Sequence, residues 1–179
     1  LCLSLIFILA ACARSPGGED ESLHGTDGMI TVLLPDSISS ARWENDDRRY
    51  FEQAFAAAGV SYNIVNANGD ARLQQTQAEQ AITNGAKVLL ITNLDSGSAS
   101  AIIAQAREAG VIVIDYDRLT IEGPGADLYV SFDNVAVGRL MTETLEPIIN
   151  SLPAEPKRII QLNGSPTDNN ATLFREGYY

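Results

Sequence analysis

Cysteine is nearly absent from this chain, with two in 179 residues, Cys2 and Cys12. Both fall in the N-terminal segment, so the rest of the chain can form neither a disulfide framework nor a Cys-based metal site. Histidine is rarer still. The single one, His24, lies in a polar, Gly-rich stretch and leaves no partner for a Ser-His-Asp relay. No G-x-G-x-x-G follows the first apolar run and no G-x-x-x-x-G-K-[ST] occurs, so a dinucleotide cradle and a P-loop are both missing. Basic residues are scarce: 12 Lys and Arg against 23 Asp and Glu, for a net charge of −11. Nucleic acid and anionic lipid surfaces are therefore disfavoured as partners by bulk electrostatics. No metal, no cofactor and no enzymatic activity are expected.

One long apolar run is present, Leu1 to Leu9, and it breaks into Ala10-Ala11-Cys12. A short apolar core ending in small residues has the form of a secretory signal, too short for a permanent span. Residues 1–11 are expected to be the signal peptide. A cysteine directly after Leu9-Ala10-Ala11 resembles a bacterial lipobox, in which that thiol is acylated and becomes the mature N-terminus. An ordinary cleaved leader with an incidental cysteine is the plainer alternative. Residues 12–28, acidic and Gly-rich, are expected to tether a Cys12 lipid anchor to the globular part. The chain opens without Met and stops at Tyr179 inside a helical pattern, so a fragment at both ends is expected.

From Met29 the sequence alternates short apolar runs with helical periodicity. Strands are expected at Met29–Leu34, Val60–Val65, Val88–Thr92, Val111–Ile114, Tyr129–Phe132 and Arg158–Leu162. The first intervening helix, Arg42–Ala58, would bury Trp43, Tyr50, Phe51, Ala54, Phe55 and Ala58. The second, capped by Asp70, would bury Leu73, Ala78, Ala81 and Ile82. The third, begun by Ser96 or Ser98, would bury Ile102, Ile103 and Ala106. A helix from Asn134 would bury Val137, Leu140, Met141, Leu145 and Ile148, and Asp168 would cap the last. "Helix, Gly, apolar strand" occurs three times, at Gly59, Gly85 and Gly110. Continuous apolar strands alternating with helices define an α/β fold with a parallel sheet flanked by helices.

In such a sheet, ligands bind outside the carboxyl ends of the strands. Those ends are unusually polar here: Asp36-Ser37, Asn66, Asn93 with Asp95, Asp115-Tyr116-Asp117-Arg118, and Asn163 with Asp168-Asn169-Asn170. Carboxylates, amides and guanidinium groups on one edge suit a neutral polyol, because each can engage two vicinal hydroxyls. Asp46-Asp47 is expected to be a solvated pair on the helix surface.

Four segments carry a resemblance: Ser39-Ser40-Ala41-Arg42-Trp43, Tyr116-Asp117-Arg118, Ser131-Phe132-Asp133-Asn134 with Val137-Gly138, and Gly164-Ser165-Pro166-Thr167-Asp168-Asn169-Asn170-Ala171. In this order and spacing the chain resembles the xylose-type branch of the sugar-binding proteins that feed ABC importers. The resemblance implies a periplasmic-binding-protein-like fold of two hinged lobes. Residues 29–131 would be the nearly complete first lobe, and 132–179 the truncated start of the second. It implies sugar contacts from Arg42, Asp117 and Arg118 on one lobe and Asp168 and Asn170 on the other, with the hinge at Phe132, Asp133 and Asn134. For Trp43, packing in the helix core stands beside contact with the sugar. The implied function is that of an extracytoplasmic, lipid-anchored, monomeric receptor. It would capture a monosaccharide, D-xylose first, and deliver it to an ABC permease. The alternative is a multiple-sugar or other aldose receptor acting in chemotaxis or sensing. A lactose-repressor-like regulator shares this core but carries a helix-turn-helix head, where this chain has a leader and an acidic tether.

Overall fold

The computed structural model describes residues 28–153 and 156–179. The signal segment 1–11, Cys12, His24 and the tether up to residue 27 lie outside the described residues. Among the described residues no helix is long and apolar enough to cross a membrane.

Five strands form one parallel sheet: β1 (Met29–Leu34), β2 (Tyr62–Asn66), β3 (Ala86–Ile91), β4 (Ile112–Tyr116) and β5 (Leu128–Val130), in the order β2-β1-β3-β4-β5. Between them run α1 (Arg48–Ala58), entered through a π-helical turn at Trp43–Asp47, then α2 (Ala71–Thr83) and α3 (Ser96–Glu108). After β5 come α4 (Asn134–Ser151) and α5 (Asn169–Tyr178). Gly59, Gly85 and Gly110 all hold the left-handed conformation expected of residues closing a helix, with φ of 65°, 86° and 70°. The strand order reverses direction between β1 and β3, which opens a crevice at their carboxyl ends.

The sheet faces are unequally covered. Leu33, Leu89, Ile91 and Val113 pack against Ala78 and Ala81 of α2 and Ala99, Ile102, Ile103 and Ala106 of α3, all buried. The small alanines let those helices lie close to the aliphatic strands. On the other face α1 packs through Phe51, whose ring meets Tyr116 edge-on at 5.1 Å and Phe55 at 5.7 Å. No α1 residue is fully buried, and Tyr50, Ala54 and Ala58 of the expected inner face are exposed.

Four further expectations need correction. In α2 Leu73 is 37% exposed and the buried neighbour is Gln74. Its amide is satisfied, donating from Nε2 to the Thr92 carbonyl at 2.9 Å and accepting from Leu94 N at 3.4 Å. A polar side chain can be buried when both halves of its amide are bonded. The cap of α3 is Asp95, which accepts from Ser98 N at 2.9 Å, and not Ser96 or Ser98. In α4 Leu140, Met141, Leu145 and Ile148 are exposed, and 158–162 forms no strand. No other strand is present beside it among the described residues, so its N–H and C=O groups have no ladder to join. Elsewhere strand ends move by only one or two residues, as at β2 and β5.

Helices α4 and α5 instead pack on one another through paired glycines. A Cβ at Gly138 would run into the Phe174 carbonyl, and one at Gly177 into the Val135 carbonyl. Phe132 stacks on Phe174 at 6.2 Å, anchoring the β5–α4 passage to α5.

Candidate functional site

The charged groups expected at the strand ends do meet, and they meet each other. Arg42 donates from Nη2 to Asp117 Oδ2 at 2.7 Å and from Nε to Asp47 Oδ2 at 3.0 Å. Arg118 pairs through Nε with Asp168 Oδ2 at 3.1 Å and donates from Nη1 to the Asn93 carbonyl at 3.1 Å. Asn170 donates from Nδ2 to Asp117 Oδ1 at 2.8 Å and to the Asp117 carbonyl at 3.2 Å. Residues from the β1, β4 and α5 ends of the chain are thus joined in one network. The Asn170 side-chain oxygen is buried with no hydrogen-bond partner among the described residues. A buried acceptor left unpaired is costly, and a hydroxyl donor would relieve it.

Asp117 is the centre of this network and has an unusual backbone. Its φ is 66°, in the left-handed region that non-glycine residues seldom occupy. The strain is held by its neighbours. Its N–H donates to the Val130 carbonyl, while its own carbonyl accepts from Tyr129 OH and Ser131 Oγ as well as Asn170. Strained residues kept in place by many bonds concentrate at functional sites. Asp115 fixes the loop that follows, accepting from Thr120 N at 2.6 Å and from Thr120 Oγ1 at 2.9 Å; its burial raises the carboxyl pKa.

Trp43 is 3% exposed and lies beneath the arginines. The Arg42 guanidinium carbon stands 4.1 Å from its ring centroid, and that of Arg118 stands 5.7 Å away. A cation over an indole face is attracted by the ring quadrupole, so Trp43 forms the floor on which the cations rest. Phe132, Asp133 and Asn134 occupy the passage from β5 into α4. Asp133 caps α4 through Ala136 N at 2.8 Å, and Asn134 is buried.

Asp47 overturns the solvated-pair expectation. It is 8% exposed and sits against Arg42 and the Tyr116 hydroxyl. The cause is the π-helical turn, where Arg48 N bonds to Trp43 O five residues back. In an α-helix, residues five apart point about 140° away from each other. One π turn brings Arg42 and Asp47 onto the same side. Only the local helix type could have revealed this, and side-chain periodicity does not carry it. Burial pushes the Asp47 carboxyl up, helped by the Asp117 charge and opposed by Arg42.

Two cavities lie nearby, and none of the six expected ligand residues lines either. One of about 230 Å³ runs between Asp95-Ser96-Gly97, Ile121-Glu122 and the 166–172 turn. The other, about 650 Å³, is the apolar groove between α4 and residues 159–162. Five of the six are bonded or ion-paired within the set, and Trp43 donates from Nε1 to Ser39 Oγ at 3.3 Å. Among the described residues no cluster of His, Cys, Asp and Glu could hold a metal ion.

A parallel sheet flanked by helices, with carboxylates and guanidinium groups paired at its carboxyl edge, defines the class of the chain as α/β. The chain belongs to the family described as the periplasmic binding protein domain, whose model matches residues 30–179. It is 34% identical over 151 residues to the multiple sugar-binding periplasmic receptor ChvE of Rhizobium radiobacter, covering 84% of this chain and 42% of that protein. It is also 34% identical over 154 residues to the D-xylose-binding periplasmic protein of Escherichia coli, covering 86% and 44%. Among solved structures it is similar to an ABC transporter solute binding protein from Clostridium phytofermentans with bound β-D-glucose. The TM-score is 0.76 at 32% identity, over 83% of this chain and 46% of that one. The Caulobacter myo-inositol binding protein bound to myo-inositol matches with TM-score 0.74 at 26% identity, over 87% and 50%. The chain spans less than half the length of the curated relatives it matches.

Proposed function

We propose that this chain is part of an extracytoplasmic solute-binding lipoprotein that captures a monosaccharide in a hinged cleft and passes it to an ABC permease. D-xylose is the first candidate ligand. The observation that carries this reading is the cross-cleft network, in which Asp117 and Arg118 face Asn170 and Asp168. Carboxylate and amide oxygens accept from a hydroxyl, and guanidinium and amide N–H groups donate to one, so each can exchange its present partner for a sugar hydroxyl. Sugar docks on one lobe, and its remaining hydroxyls then satisfy the other, so binding draws the population toward the closed state. A sugar lacking one hydroxyl leaves a buried charge unpaired, which is the source of specificity. The chemistry is binding without turnover. A monomer, a hinge at Phe132–Asn134, the lobe boundary near residue 131 and lipid attachment at Cys12 belong to the same proposal.

The test is calorimetry on the full-length gene product with D-xylose, D-glucose and myo-inositol. Asp117→Ala and Arg118→Ala are each expected to weaken binding by about 100-fold or more, while unfolding stays cooperative. Unchanged affinity in both variants removes the site from this position. Comparable binding of several sugars by the unmodified protein selects the multiple-sugar receptor over the xylose receptor.

A further inference from the structure

We propose that Asp47 is a positioning residue of the sugar site, which fixes the Arg42 guanidinium so that one of its nitrogens is free and aimed for a ligand hydroxyl. This rests on the sugar-binding reading above but concerns a residue outside the expected contact set.

The geometry is specific. A guanidinium has three nitrogens in a rigid plane. In Arg42, Nε is taken by Asp47 and Nη2 by Asp117. Nη1 has no partner among the described residues. The Trp43 ring lies under the plane at 4.1 Å. Two edges and one face of the guanidinium are therefore fixed, and rotation about the side chain's last bonds is blocked. Without Asp47 only Asp117 would hold it, and Asp117 is itself expected to turn toward the sugar. Arg42 is 40% exposed along its side chain, whereas Asp47 is 10% exposed, so the ligand-facing group is the arginine and its support lies behind.

The chain sustains an unfavourable local arrangement to achieve this. The turn at Trp43–Asp47 is π-helical, a form that concentrates at functional positions. The groups facing Asp47 are Arg42 from its own segment and Tyr116 and Asp117 from β4 and its exit. Burial raises its carboxyl pKa. A carboxyl whose folded pKa is raised adds stability at low pH and loses it as pH rises through that value, so the ionised group weakens the fold at neutral pH.

The experiment combines Asp47→Asn and Asp47→Ser in the full-length gene product with two readings, calorimetry with D-xylose and D-glucose and thermal melting without sugar. Loss of a charge-assisted hydrogen bond to Arg42 predicts about tenfold weaker binding of whichever sugar the unmodified protein takes. The sugar-free melting temperature is expected to stay the same or rise. Affinity within twofold of the unmodified protein overturns the inference, and so does a melting temperature that falls together with affinity. Should neither variant fold, the unmodified protein decides through the Arg42 Nε–H signal in nitrogen-edited NMR. Slow solvent exchange with and without sugar supports the anchor, and exchange as fast as in a free arginine overturns it. If the unmodified protein binds neither sugar nor myo-inositol, the functional reading fails first; if it binds and Asp47 is silent, only this inference fails.

Discussion

Residues 29–131 and 132–179 follow the same amphipathic pattern and end in opposite states. In the first, Ile102, Ile103, Leu89 and Val113 are fully buried. In the second, Leu145 and Ile148 of α4 are 50% and 57% exposed, and Ile160 is 95% exposed. The difference lies in the partner. α2 and α3 lie on a five-stranded sheet whose apolar face is already assembled, whereas among the described residues α4 packs on α5 through a glycine contact and leaves a groove toward residues 159–162. An apolar stripe states what a helix can bury; burial itself requires a second surface.

The widest test of that contrast is a matched pair of truncations in the 179-residue chain. Ile102→Ala removes atoms from a closed core and is expected to cost about 3–4 kcal/mol in urea unfolding. Leu145→Ala removes atoms already in solvent and is expected to cost under about 0.5 kcal/mol. Equal losses would mean that α4 is buried as deeply as α3.

A second test asks what does hold 132–179 together. A Cβ at Gly138 would meet the Phe174 carbonyl carbon at 3.0 Å and Gly177 Cα at 3.1 Å, and its carbonyl oxygen closer still. These neighbours are backbone, so the helices must separate to admit it. Gly138→Ala is expected to cost about 2 kcal/mol and to shorten the amide exchange protection of α5 while that of α3 is kept. Loss of protection in both helices would show that the two regions unfold as one unit.

Most of the first region could be read from the chain, because its signals are local. Gly59, Gly85 and Gly110 each close a helix before an apolar run. The meeting of polar groups at the carboxyl edge was legible to the level of residue type: Arg42, Asp117, Arg118, Asp168 and Asn170 do converge there. Their pairing was not, because which guanidinium and which amide face Asp117 depends on contacts between positions 75 and 53 residues apart. Asp47 escaped for a different reason: the π turn moves it to the Arg42 side, and no periodicity based on an α-helix places it there. The exposure of Leu140 and Met141 escaped because amphipathicity is a property of one helix and burial of two surfaces.

The smallest expected effect lies within the better-packed region, at its carboxyl edge. Asp36 lies just after β1 and gathers the loop beneath the arginines. Its carboxylate accepts from Ile38 N at 2.8 Å, Ser39 N at 2.5 Å and Ser39 Oγ at 2.7 Å. Burial alone would raise its pKa, but the bonds from Ser39 and Ile38, with the Arg118 charge, outweigh it and leave the carboxyl below its usual value. A lowered folded pKa means stability that is present above the unfolded value and lost as pH falls through the folded one. The unmodified protein should therefore exceed Asp36→Asn in stability by under about 1 kcal/mol at neutral pH. That margin should shrink only once the pH drops below the ordinary aspartate value of about 3.9. Amide protection at Ile38 and Ser39 should decline over the same interval. Since Ser39 also accepts from the Trp43 indole at 3.3 Å, loosening this loop would release the floor under Arg42 before any strand opens. Protection that stays flat through that interval would mean the loop is held by its backbone, and that the acidic edge contributes to ligand chemistry alone.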